Sequence, residues 1–433
     1  MKILLISTYE LGRQPFGLAS PAAWLKSAGH EVECADLSIG RLPETAVCDA
    51  DMVAFYLPMH TATRLAVPVI RKVKKLNPGA HLCCFGLYAP LNEPYLRSLG
   101  VDRMIGGEFE AELSAMPPRD STVVPLDRLK FMVPDRSGLP PLPKYAQLHV
   151  NGSTKVVGYT EASRGCKHLC RHCPVVPVYN GVFRVVQQEV VLEDVRRQVA
   201  AGAQHITFGD PDFFNGPGHA MHIVEALAVE FPGLTYDVTI KIEHLLQQRR
   251  LLEGLKRTGC LFVTSAVESV DDTVLEKLNK GHTREDFIEA VKLLRSIGLT
   301  LAPTFIAFTP WTTRQGYREL LRLIAELDLI ENVTPIQLAL RLLIPAGSRL
   351  LELDEIRALV EGYDDEALLH RWRHPDPAMD ELASRAMRVA GKKATRAEVF
   401  RDLWALVSDD PPFENVELLP RAAIPYLDEP WYC

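Results

Sequence analysis

The 433-residue chain has no surplus of positive charge: 48 Lys and Arg stand against 55 Asp and Glu, a net charge of −7. Phosphate backbones are bound mainly through clustered cations, so the charge gives no reason to expect nucleic acid. Long apolar runs are missing at the start. The opening MKILLIS carries one lysine and gives way at once to polar residues and a Gly/Pro stretch. It is too short for a secretory signal and far too short to span a bilayer. The expectation is a cytoplasmic protein without membrane contact. No G-x-G-x-x-G follows this first apolar run, which argues against a nicotinamide or flavin dinucleotide. Nine cysteines in a chain of this size do not form a secreted disulfide framework. Five of them, Cys34, Cys48, Cys83, Cys84 and Cys260, lie in or beside apolar runs and read as small core hydrophobes.

Three more cysteines share one short stretch, SRGCKHLCRHCP over 163–174, as Cys166, Cys170 and Cys173. Three thiolates on one loop can hold three corners of an iron–sulfur cube and leave the fourth iron without a protein ligand. His168 and His172 sit among them, so a Cys3His zinc site in a zinc-stabilised binding module is the alternative. Zinc-finger ligands, however, usually come as two separated pairs. The spacing resembles that of the radical S-adenosylmethionine (SAM) superfamily. That resemblance implies a [4Fe-4S] cluster on Cys166, Cys170 and Cys173, with S-adenosylmethionine chelating the open iron. An electron from a donor such as flavodoxin or ferredoxin would then cleave the sulfonium to a 5′-deoxyadenosyl radical. The family usually carries an aromatic residue before the third cysteine; here it is His172.

Upstream, the first ~115 residues alternate short apolar runs (Lys2–Ser7, Glu31–Asp36, Met52–Leu57, His81–Phe85, Arg103–Ile105) with amphipathic stretches closed by Gly29, Gly79 and Gly100. Strand and helix in alternation predict a doubly wound parallel sheet over residues 1–116. Ligands of such sheets sit at the carboxyl ends of the strands, here Ser7, Thr8 and Tyr9, then Pro58–Thr61, Gly86–Tyr88 and Gly106–Glu108. The segment resembles the cobalamin-binding domain that precedes many radical SAM domains. It shares the Pro15/Gly17 turn, AGHEV, ADMVAFYLP and GVDRMIGGEFEAEL. Cobalamin is therefore an expected cofactor, with Ser7, Thr8, Tyr9, Gly86, Gly107 and Glu108 as its candidate contacts. The Asp-x-His-x-x-Gly motif that supplies a histidine to cobalt is absent. Residues 117–150, rich in proline, predict a stiff linker.

Alternation resumes at Lys155 with strands expected at Lys155–Ala162, Gln204–Phe208, Leu234–Ile240, Leu261–Val267, Thr300–Phe308 and Thr334–Leu340. Six such units over residues 151–350 make a partial (βα)6 barrel, whose functional groups lie at the carboxyl ends of its strands. By resemblance, Gly209, Asp210, Pro211 and Asp212 occupy the family's Gly-Gly-Glu position near the amino group of S-adenosylmethionine. Glu268 and Ser269, followed by Lys280 and Gly281, match a Gly-Ile-Glu-Ser run with its later Lys-Gly, and Glu268 is placed at the ribose hydroxyls. Asp210 and Asp212 read equally well as helix caps, and Lys280 as a solvated turn residue.

A helical region is expected over 351–408 and an irregular tail over 409–433. The ending EPWYC, with STYELGRQPFGLASPAAWL and SRGCKHLCRHCPVVPVYNG, resembles the CUAEP/CCAEP-tail radical SAM proteins. That likeness makes Cys433 a candidate catalytic thiol beside a selenocysteine. The expected function is cobalamin-dependent methyl transfer to a small molecule or peptide. A cobalamin-independent rearrangement or sulfur/selenium insertion is the alternative.

Overall fold

Runs such as KILLIS and MVAFY leave no polar face, and strands of that kind need cover on both sides. The computed structural model, which describes residues 1–115, 120–410 and 425–428, provides it. Strands β1 (Lys2–Ser7), β2 (Glu31–Asp36), β3 (Met52–Tyr56), β4 (His81–Phe85), β5 (Arg103–Ile105) and β6 (Thr122–Val123) form one parallel sheet in the order β2-β1-β3-β4-β5-β6. Helices cover both faces. Leu4, Ile6, Val53 and Phe55 pack on one side, and Ile3, Leu5, Met52 and Ala54 on the other. The edge strand β2 alternates exposed and half-buried residues over EVEC, as a strand covered on one face should. Strand order reverses between β1 and β3, which opens a crevice at their carboxyl ends.

The second sheet holds β7 (Gln147–Val150), β8 (Ser153–Thr160), β11 (His205–Phe208), β12 (Thr235–Thr239), β13 (Cys260–Glu268), β14 (Thr300–Phe305) and β17 (Tyr426–Leu427). A small antiparallel pair, β9 (Ser163–Gly165) and β10 (Phe183–Val185), stands beside its carboxyl edge. Strands β8, β11, β12, β13 and β14 are parallel neighbours, each joined by helices, and the curled sheet encloses the large core. On the other side of β8, β7 and β17 pair antiparallel.

Three expectations change. The sixth strand expected at Thr334–Leu340 is a 3-10 turn at Pro335–Leu338 followed by a single parallel bridge, Phe308 to Arg341. Pro335 has no N–H for a ladder and suits the first position of a helical turn, which ends the extended run. Within the helical C-terminal region, residues 360–372 form a hairpin of β15 (Val360–Asp364) and β16 (Leu369–Trp372), followed by helices Pro377–Ala390 and Arg396–Trp404. Of the five cysteines expected in cores, Cys83, Cys84 and Cys260 are buried, Cys34 is half-buried and Cys48 is exposed. Cys48 lies on the short helix Glu44–Asp49, which buries only Val47. No helix among the described residues is long and apolar enough to cross a membrane.

Candidate active site

The cysteine loop leaves β9 through Gly165. This residue has φ +70°, and a Cβ there would lie 2.4 Å from the Tyr179 ring and 2.5 Å from the Val182 carbonyl. Only glycine turns the chain so tightly without strain. The loop is then pinned from outside. Arg171 N–H donates to the Leu278 carbonyl at 2.9 Å, its guanidinium to the Lys277 carbonyl at 2.9 Å, and the Asn279 side chain to the Leu169 carbonyl at 3.1 Å. Cys170 is buried, while Cys166 and Cys173 are half-buried on the same loop. Burial pushes the Cys173 thiol up to about 12 and raises Cys166. Thiols in such surroundings ionise when a metal's charge faces them. Three soft donors on one pinned loop fit a cluster with one open iron.

Around the loop stand the other expected residues. Asp210 is buried. Its carboxylate accepts the Ala162 N–H at 2.9 Å and the Ser163 hydroxyl, and burial raises it to about 7. It ties the end of β8 to β11, which accounts for it as a positioning group. Gly209 is required for space, since a Cβ would fall 1.7 Å from the Tyr159 hydroxyl. Asp212 caps Phe214 N–H at 3.0 Å and turns its second oxygen toward His244 and His168. Glu268 sits at a register shift between β13 and β14 with φ +69°. Such a bulge redirects a side chain; here it faces His172 at 3.1 Å and Lys280 at 3.5 Å. Burial alone would raise its carboxyl, but Lys280 and His172 together hold it down to about 2. Ser269 uses its hydroxyl to accept the Asp271 N–H, outside this cluster.

On the N-terminal sheet, Thr8 donates to the Ala62 carbonyl at 2.7 Å, Tyr9 is buried, and the buried Ser7 hydroxyl has no hydrogen-bond partner among the described residues. Gly86 and Gly107 have φ of +105° and +56°, and a Cβ on either would meet backbone, at 2.9 Å and 2.1 Å. Glu108 is buried, accepts the Tyr179 hydroxyl at 3.0 Å, and is raised by burial. Cys433 lies outside the described residues.

Arg164 joins the two sheets, a role its sequence position did not reveal. Its guanidinium makes two bonds to Glu110, at 2.6 and 2.8 Å, one to Glu161 at 2.8 Å, and lies 3.5 Å from Glu108. The rings of Phe131 and Phe109 flank it at 5.0 and 5.1 Å. One cation thus faces three carboxylates, and burial raises Glu108 and Glu161 toward their neutral forms.

Two cavities flank this junction. A cleft of about 170 Å³ lies between the sheets, lined by Tyr56, Pro58, Gly86, Gly107 and Phe109 on one side and Glu161, Arg164 and Gly165 on the other. A cavity of about 600 Å³ runs through the half-barrel past Thr207, Asp237, Thr239, Thr264 and Thr304 and ends at Pro425–Asp428. Tyr159 and Gly209 line both.

Residues 160–324 match the Radical SAM superfamily, and the match takes in the cysteine loop, Gly209 to Asp212 and Glu268. The chain carries a radical SAM domain, and it is an enzyme. Among curated proteins it is 26% identical to the hopanoid C-3 methylase of Methylococcus capsulatus, over 76% of this chain and 68% of that protein. It is 23% identical to a putative methylthiotransferase of Methanocaldococcus jannaschii, over 72% of each. Two solved structures share the fold. TsrM of Kitasatospora setae, a radical S-adenosylmethionine methyltransferase, aligns at TM-score 0.68 with 15% identity, covering 94% of this chain and 89% of its own. OxsB, a cobalamin-dependent S-adenosylmethionine radical enzyme, aligns at TM-score 0.67 with 14% identity, covering 88% of this chain and 66% of its own. The radical SAM domain brings a [4Fe-4S] cluster and S-adenosylmethionine, and the zinc-stabilised binding module gives way to an enzyme.

Proposed function

We propose that this radical SAM enzyme transfers a methyl group to a small polar molecule or a peptide in the cytoplasm, with cobalamin as second cofactor. The observation that carries the reading is the shared wall. The cleft at the carboxyl edge of the N-terminal sheet and the cavity of the half-barrel meet at Tyr159 and Gly209, so a group held in the cleft faces a substrate held in the barrel. The relatives support it, because OxsB is cobalamin-dependent and the Methylococcus protein is a methylase.

When bound, the cluster and S-adenosylmethionine supply one-electron cleavage of a sulfonium and the corrin supplies a methyl carrier. The chain's own residues do the rest. Cys166, Cys170 and Cys173 hold the cluster. Glu268, kept anionic by Lys280 and His172, accepts hydrogen bonds from the ribose hydroxyls. The backbone at Gly209, where no side chain fits, meets the methionyl end. Thr239, Thr264 and Thr304, with Asp237 and Gln337, line the barrel cavity, a composition that favours a polar substrate over a hydrocarbon. The electron comes from an external donor such as flavodoxin or ferredoxin.

The glycine cradle of Gly86 and Gly107 and the Ser7 hydroxyl, which has no hydrogen-bond partner among the described residues, suit a corrin edge, and Arg164 lines the cleft that would receive it. A second reading, cobalamin-independent radical chemistry, needs only the barrel cavity. Anaerobic reconstitution with iron and sulfide separates these. Formation of 5′-deoxyadenosine that disappears on Cys166→Ala, Cys170→Ala or Cys173→Ala supports the cluster assignment, and full activity of any one of the three removes it. Retained corrin absorbance and S-adenosylhomocysteine among the products mark methyl transfer. Their joint absence leaves the cobalamin-independent reading.

A further inference from the structure

Beside the cysteine loop lies a group of donors that the radical chemistry does not use. His168 projects from the middle of the loop, Asp212 from the turn after β11, and His244 from the helix Ile242–Gln247 after β12. One ligand atom from each lies within 4.8 Å of the others. His168 Nε2 is 3.6 Å from Asp212 Oδ2, His244 Nδ1 is 2.7 Å from the same oxygen, and the two Nε2 atoms are 3.3 Å apart. Ligands held about 2.0–2.2 Å from one ion stand roughly 3–3.6 Å from each other; the His168–Asp212 contact is on that scale, and one ligand atom from each of the three residues lies within 4.8 Å of the others, near enough to close on one ion by small side-chain rotations.

Burial makes the arrangement unlike an ordinary polar contact. The side chains of Asp212 and His244 are 0% and 2% exposed, and among the described residues Asp212 Oδ2 and His244 Nδ1 have no aligned hydrogen-bond partner. Asp212 Oδ1 already accepts the Phe214 N–H, so the second oxygen is left facing two imidazoles. An unsatisfied buried carboxylate is costly. Metal-bound imidazoles commonly point their other N–H at a carboxylate, and Glu243 Oε2 lies 3.6 Å from His168 Nδ1 on the side away from Asp212. Lys241 holds Glu243 there at 3.2 Å.

We infer that His168, Asp212 and His244 form a second metal site, separate from the cluster, that takes one divalent first-row ion such as zinc. With two nitrogens, one carboxylate oxygen and no sulfur, its donor set suits zinc or another borderline divalent ion and not an iron–sulfur centre. Bound there, the ion clips the middle of the cysteine loop to the turns after β11 and β12. The site is independent of the proposed methyl transfer.

The test uses the full chain with its cluster reconstituted anaerobically, incubated with zinc and passed through a desalting column. One zinc per chain is expected, in addition to the cluster iron and sulfide. Zinc-edge X-ray absorption should show only nitrogen and oxygen at about 2.0–2.2 Å. His244→Ala should lose that zinc while keeping the iron and sulfide, and His168→Gln should do the same if His244→Ala folds poorly. A sulfur shell near about 2.3 Å would place the zinc on the cysteines and overturn the site. So would wild-type protein that retains no zinc, or variants that retain as much as wild type.

Discussion

Glu268 is an anion kept in a buried place by two neighbours, and its energetics follow from that. Lys280, 3% exposed, has its charge answered by this carboxylate. Glu268→Gln removes the anion and leaves a buried cation unpaired, a change that costs about 3–5 kcal/mol when a buried pair is broken. The folded carboxyl sits at about 2, below an unfolded value of about 4.3. Its stabilisation is therefore complete above that unfolded value and is lost as pH falls toward 2. Urea unfolding should show wild type well above Glu268→Gln at pH 7 and the two converging near pH 2; an equal gap at both pH values would mean the carboxyl is not the source. If it binds ribose, Glu268→Ala should also weaken S-adenosylmethionine by about 1.5–3 kcal/mol, read by calorimetry. Gly165→Ala tests the turn into the loop. With 2.4 Å to Tyr179 and φ +70°, alanine should cost about 1–3 kcal/mol and lower iron content after reconstitution. Wild-type iron and melting temperature would show that the turn relaxes freely. At this scale the sequence was legible where spacing itself carries chemistry, as in the three cysteines, whereas Glu268 and Lys280 were matched only by resemblance and their contact at 3.5 Å, with Lys280 buried and not a solvated turn residue, belongs to the fold. The sequence hid Arg164, because nothing local in SRGC says that its partners lie more than fifty residues upstream at Glu108 and Glu110.

Elements read well from sequence where both faces of a strand are buried. KILLIS, MVAFY and CLFVTSAVE stand out against any helix, and β1, β3 and β13 fall where those runs predict. The sixth barrel strand misled because TPIQLAL has strand composition, yet its proline leads a 3-10 turn. The hairpin of β15 and β16 misled for the opposite reason: its residues suit a helix, and their pairing depends on contact with the barrel end, where His370 N–H donates to the Ile344 carbonyl at 2.8 Å. The hairpin of β9 and β10 matters most for function, since it carries Arg164 into Glu108, Glu110 and Glu161. Arg164→Met should leave the buried carboxyls of Glu108 and Glu110 without their cation, a loss of about 3–5 kcal/mol. Because the penalty is unpaired charge and not lost shape, adding Glu110→Gln should restore part of it. A double variant as unstable as the sum of the single ones would instead assign Arg164 to packing against Phe109 and Phe131.

For the molecule as a whole, two sheets with separate cores face each other across a cleft that Arg164 lines. Their opposition follows from chain order. The N-terminal sheet presents its carboxyl edge, the polypeptide returns along the proline-rich stretch through Arg136, which bonds Asp194 at 2.8 Å and the Tyr159 carbonyl, and the half-barrel then presents its own carboxyl edge. Arg164 bridges these edges through Glu108 and Glu110, so in the proposed corrin uptake these are the contacts that would have to open. When binding waits on a minor open state, apparent affinity falls by the open fraction, and the observed rate levels off at the opening rate as ligand is raised. Stopped-flow mixing with hydroxocobalamin should therefore show uptake that saturates with corrin concentration, and Arg164→Met should raise the plateau. A rate that stays proportional to corrin concentration, unchanged in the variant, would mean that the cleft is open to the cofactor in solution and that Arg164 does not gate it.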